Sequence, residues 1–178
     1  MKMHNEYIIP FKGLKEGEHF FEYILNNRFF EGFEYGEIKK GNVHANVELV
    51  KHTRHLEFTF IIEGKVEITC DRCLDFFDIP IQSKNQLFVK FGEEHNEDDG
   101  EIIVLSYAES EINIAHYLYE FVHLSLPIQR IHPDNEDGTS TCNKEMLDIL
   151  HKHEVYRDKK EDPVDPRWNN LRDLLNNN

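Results

Sequence analysis

Between Leu56 and Cys70 every second residue is apolar with a single exception: Leu56, Phe58, Phe60, Ile62, Val66, Ile68 and Cys70, with Gly64 in the gap. A period of two sustained over that length describes an extended strand with one face against a core. The parity is unbroken across Gly64. The glycine therefore reads as a bend or bulge inside one long strand, which would let the sheet curl, and not as a hairpin turn.

Two more runs flank it. Val43, Ala45, Val47 and Leu49 alternate with His44, Asn46 and Glu48, the pattern of a half-buried strand. Ile79, Ile81, Leu87, Val89 and Phe91 alternate likewise, with polar Ser83 and Asn85 interrupting their inward face. The stretch GEEHNEDDG at 92–100 reads as a solvated acidic loop, followed by a short strand at 101–106. Ile114, Tyr117, Leu118, Phe121 and Val122 recur at helical spacing, and Pro127 ends that segment. Residues 7–14 read as a strand, and 20–33 as a strand leading into a short helix.

The predicted fold is α+β: a curled, mostly antiparallel sheet, partly barrel-like, with helices near 110–122 and 144–150 and a C-terminal helix at 166–175. In that last helix Asp165 caps, Pro166 takes the first helical position, and Trp168, Leu171 and Leu175 form a stripe. The 178 residues suit a single α+β domain at 1–156, followed by a charged linker and that helix at 157–178.

No apolar run reaches the roughly 18 residues that a membrane span requires. The opening MKMHNEYIIP lacks the apolar segment of a secretory signal, so a cytoplasmic chain with no membrane partner is expected. The net charge is −14. It repels phosphate backbones, which argues against a free-standing nucleic-acid binder and suits a basic protein partner.

The chain has three cysteines, two of them in TCDRCL at 69–74, between two strand patterns and so at or near a hairpin tip. Cys-x-x-Cys at a turn supplies two of the four ligands of a structural zinc site. Cys142 is the remaining cysteine and His132 stands ten residues before it, which makes Cys70, Cys73, His132 and Cys142 a candidate set for one zinc. The metal-free reading keeps slightly more weight, because the second pair lacks a strong spacing and 11 histidines make a nearby His easy to find. In it Cys70 is core, Cys73 a reduced surface thiol and His132 a loop residue. A redox Cys-x-x-Cys needs its first thiol at a helix N-terminus, whereas the flanks here read as antiparallel strands. No phosphate-binding Gly-rich loop, HExxH or G-x-S-x-G is present.

Three motifs occur in order: VEITCDRCL at 66–74, YEFVHLSLP at 119–127 and DPRWNNL at 165–171. From about Gly41 onward the chain resembles the YceD family, the large ribosomal RNA subunit accumulation proteins of bacteria. That resemblance implies a non-enzymatic part in producing or maintaining large-subunit ribosomal RNA. The family's gene commonly neighbours one for a large-subunit ribosomal protein, which suggests ribosome assembly. The motif residues carried over are Cys70, Arg72, Cys73, Glu120, Pro127, Asp165, Pro166 and Arg167, none with an assigned role. Many members carry further cysteines after the Leu-x-Leu-Pro motif, where this chain has His132 and Cys142. The expected partner is a basic large-subunit ribosomal protein or an assembly intermediate, with direct RNA contact left open. The rival readings are a zinc-stabilised interaction module without a ribosomal role and a thiol enzyme using Cys70 or Cys73.

Overall fold

The computed structural model describes residues 5–92 and 102–153. The chain divides into two compact units, Met1–Cys142 and Asn143–Asn178. The first unit contains β1 (Ile8–Ile9), β2 (Gly17–Leu25), α1 (Asn27–Glu31), β3 (Gly41–Lys51), β4 (His55–Thr69), β5 (Phe76–Gly92), β6 (Ile102–Ser106), β7 (Ile112–Asn113) and α2 (Ala115–Leu124). Strands β2 to β6 form one sheet in sequence order, antiparallel except for the parallel β5–β6 pair. The fold is α+β, as predicted. Among the described residues the sheet is open, with β2 and β6 at its edges, and it does not close on itself as a partly barrel-like sheet would.

The alternating residues sit where their parity requires. Val43, Ala45, Val47 and Leu49 of β3, six apolar side chains of β4, and Leu87 and Val89 of β5 are buried in one core. Phe29 and Phe30 of α1 and Ala115, Leu118 and Val122 of α2 join it. Phe121 meets Phe60 across this layer with ring centroids 5.0 Å apart. Each large apolar side chain fully removed from water contributes about 1.5–3 kcal/mol. Ser83 and Asn85, the polar interruption in β5, bond to each other at 3.0 Å.

β4 passes through Gly64 without a bulge: Val43, Gly64 and Ile81 stand opposite one another in an unbroken register. The expected bulge is absent, and the glycine permits a close approach instead. A Cβ at Gly64 would lie 2.4 Å from the Asn42 carbonyl oxygen and 2.6 Å from Val43 Cα, and the residue's φ is +158°.

Two local expectations are corrected. Residues 7–14 are not one strand, because only Ile8–Ile9 is extended, between 3-10 turns at Asn5–Tyr7 and Phe11–Gly13. Pro10, which has no N–H to offer a ladder, stands at that break. Helix α2 starts at Ala115 and not near 110, because Ile112 and Asn113 pair with β1. The Asn113 side-chain oxygen then accepts the Ala115 N–H at 2.9 Å.

In the second unit α3 spans Lys144–His153, longer than the expected 144–150. The Asn143 side-chain oxygen accepts the Glu145 N–H at 3.0 Å and so caps it. The expected boundary after residue 156, the linker and helix at 157–178, and nearly all of the acidic loop lie outside the described residues. No helix among the described residues is long and apolar enough to cross a membrane.

Candidate metal centre

The β4–β5 hairpin closes with Thr69 opposite Phe76, and TCDRCL is its tip. The Cys70 N–H donates to the Asp75 carbonyl at 2.9 Å, and the Leu74 N–H returns to the Cys70 carbonyl at 3.0 Å. The Arg72 N–H points at the Cys70 sulfur, 3.4 Å away. This knuckle turns both sulfurs to one side. It holds Leu74 at φ 64°, left-handed backbone that costs a residue with a Cβ about 1–2 kcal/mol.

The second pair of ligands comes from a loop folded back on itself. Asp134 and Ser140 form an antiparallel bridge. The Asn135 N–H donates to the Thr139 carbonyl at 2.8 Å, and Gly138 takes φ 79° to close the turn. The Asp137 carboxylate accepts from the Thr139 N–H at 2.9 Å and the Thr139 hydroxyl at 2.6 Å. His132 and Cys142 stand just outside the bridge. A ten-residue separation that looks weak as a spacing is thus the two ends of a small hairpin.

Knuckle and loop are tied together beside the sulfurs. The Asp71 N–H donates to the Arg130 carbonyl at 2.7 Å, and the Arg130 N–H donates to the Asp71 carboxylate at 2.8 Å. The Arg130 guanidinium also donates to Glu37. From the knuckle Arg72 reaches across the loop, donating Nη2–H to Ser140 Oγ at 2.7 Å and Nε–H to the Cys142 sulfur at 3.3 Å. Asp71, Arg130 and Ser140 were not singled out in the sequence. Only Asp71, lying within the Cys-x-x-Cys, carried a signal there.

The four expected ligands converge. Cys70 and Cys142 Sγ are 3.8 Å apart, and His132 Nδ1 lies 3.4 Å from the Cys73 sulfur and 3.7 Å from the Cys142 sulfur. All four donor atoms lie within 4.8 Å of one another, so they can share one metal ion. Cys70, Cys73 and Cys142 are all buried, at 0%, 1% and 4% exposed. Cys73 is therefore not a surface thiol, so the metal-free reading loses that placement, while Cys70 is buried as that reading had it.

The surroundings favour anionic sulfur. Burial pushes the Cys70 thiol up, but the N–H groups of Cys73, Arg72 and His132 and the His132 ring outweigh it and bring it down to about 6. Cys142 is likewise raised by burial and lowered overall by Ser140 and Arg72. Burial lowers His132, yet its hydrogen bonds to the Cys70 and Cys142 sulfurs raise it above the ordinary imidazole value. Thiolates are the form that ligates metals.

The family-motif residues fall in different places. Arg72 is part of the cluster's support. Glu120 lies on α2 and pairs with His116 one turn away at 3.0 Å. Pro127 stands just beyond α2, ahead of the segment that carries Arg130 and His132. Asp165, Pro166 and Arg167 lie outside the described residues.

The model of the family described as "Large ribosomal RNA subunit accumulation protein YceD" matches residues 58–175. The chain belongs to the YceD family. The match takes in all four cluster residues and every motif position, and begins further along than the Gly41 suggested by the sequence. No curated protein and no solved structure matches the chain.

Proposed function

We propose that this YceD-family chain supports accumulation of large-subunit ribosomal RNA as a non-enzymatic assembly factor. It contacts a basic large-subunit ribosomal protein or an assembly intermediate containing one. The observation that carries this reading is the family match over 58–175, joined to a net charge of −14. A surface of that sign does not grip ribosomal RNA by charge, whereas it attracts a basic protein before delivery. The thiol-enzyme reading has a lowered Cys70 thiol in its favour, but reactive cysteines sit in partly exposed sites and all three here are buried.

Within this reading the cluster holds one structural zinc. With Zn–S of about 2.3 Å and Zn–N of about 2.0–2.1 Å, a tetrahedral site has S–S edges of about 3.8 Å and S–N edges of about 3.6 Å. Three of the six separations, at 3.8, 3.4 and 3.7 Å, match those edges, and all six lie within 4.8 Å. Three thiolates and one imidazole around Zn²⁺ leave one negative charge, and the Arg72 guanidinium lies against Cys142 to balance it.

The functional reading is tested by affinity capture of the tagged chain from growing cells at low and high salt. The expected result is a basic large-subunit ribosomal protein, with or without precursor RNA, recovered at low salt and lost as salt rises. Recovery of no ribosomal component, or binding indifferent to salt, would contradict it.

A further inference from the structure

A second group of metal-ligating side chains lies at the turn joining β3 to β4. The turn is closed by the His52 N–H donating to the His55 carbonyl at 3.0 Å. It stacks the two imidazoles, with centroids 4.3 Å apart and planes 19° from parallel. Both Nε2 atoms converge on a single carboxylate oxygen: Glu57 Oε1 is 2.9 Å from His55 and 3.4 Å from His52. The three donor atoms all lie within 4.8 Å of one another.

A plain ion pair accounts for half of this arrangement. His55 and Glu57 are hydrogen-bonded at 2.9 Å. His52 Nε2 is buried and has no hydrogen-bond partner among the described residues, although it faces the same oxygen at 3.4 Å. Two stacked imidazoliums would repel each other, and a neutral His52 leaves its buried nitrogen unsatisfied. A cation between the three atoms resolves this, because it takes a lone pair from each nitrogen and from the oxygen together. Of the nearby basic side chains, Lys51 is occupied by the Phe11 and Leu14 carbonyls at 2.8 and 2.6 Å, while Lys90 stands opposite His55 on the same face of the sheet.

We propose that His52, His55 and Glu57 form a three-ligand site for a divalent transition-metal ion, separate from the cysteine cluster. Two imidazoles and one carboxylate select zinc-like or nickel-like ions over calcium or magnesium, which prefer all-oxygen shells. With the three side chains about 40% exposed, solvent completes the shell, and the site exchanges its metal where a buried cysteine cluster would not.

The test uses the full chain, first supplied with one equivalent of zinc for the cysteines. Imidazole nitrogen–proton spectra are recorded while Zn²⁺ is added, and Ni²⁺ broadening serves as a second probe. The expected result is that the His52 and His55 signals move together and saturate at one equivalent bound there. Loss of supporting groups alone weakens metal sites about 10–100-fold, so His55→Ala should weaken this one at least about ten-fold. Glu57→Gln, which keeps the shape of the turn, should weaken it as well. The proposal is overturned if the His52 and His55 signals stay fixed while metal binds elsewhere. It is also overturned if His55→Ala takes up the same equivalent with unchanged affinity.

Discussion

Arg72 is the residue whose role the structure adds to the motif. Its backbone N–H serves the Cys70 sulfur, its Nε–H the Cys142 sulfur and its Nη2–H the Ser140 hydroxyl. A lysine retains the charge but not the fork. Arg72→Lys is therefore expected to lower metal affinity by about 10–100-fold, as outer-shell changes do, with the fold intact. A competition titration against a chromophoric chelator reads this directly, and unchanged affinity would remove Arg72 from the site. Protonation gives a second expectation. Above about 6 Cys70 is already a thiolate, so an incoming ion displaces no proton from it; below that value each ion must displace one. The raised His132 competes in the same direction, since it must lose a proton to ligate. Acidification is thus expected to release the metal, most steeply below about pH 6, the value to which Cys70 is lowered. Retention that does not vary from neutral pH down through that value would contradict the ligand set.

The strands show which parts of this fold the sequence revealed. Period-two patterning placed β3, β4 and β5 and the hairpin tip correctly, because one buried face imposes parity on every residue. Gly64 was read correctly as lying inside β4 but for the wrong reason, since the crowding comes from Asn42 and Val43 on the neighbouring strand. Tertiary approach of that kind leaves no local trace. Gly64→Ala is expected to destabilise the unit by about 1–3 kcal/mol, read as a lower denaturant midpoint, whereas Gly13→Ala, which has open space, leaves it near wild type. The ligand pair His132 and Cys142 was legible only as residue types. Its geometry comes from the Asp134–Ser140 bridge and the Gly138 turn, whose signals are too short to stand out in a polar loop. Because the four ligands sit at the β4–β5 tip and the two ends of the 134–140 hairpin, removing metal should loosen the tip and residues 128–142 and spare β3 and β4. Hydrogen exchange with and without chelator checks this, and loss of protection throughout the sheet would contradict it.

The whole chain combines an apolar sheet core, a separately anchored cluster of four ligands and a large negative charge. The sheet core is built from apolar side chains of strands and helices, and the fold is expected to form without metal. The cluster then fastens the segment after α2 onto the β4–β5 tip, reinforced by Asp71, Arg130 and Glu37. Under the proposed function, a zinc held there would shape a surface for a partner and would do no chemistry. Fold class and the four residues that converge at the tip were readable in one dimension, since each follows from residue type and period. The open sheet edges were not, because closure depends on how far twist accumulates across five strands. The most direct measurement is the metal content of freshly purified, reduced protein, set beside a Cys73→Ser variant. About one zinc per chain in the wild type, lost in the variant while its sheet remains folded, is the predicted result. A wild-type chain that is fully folded and takes up no zinc when zinc is supplied would contradict the claim that the four ligands form a metal clamp.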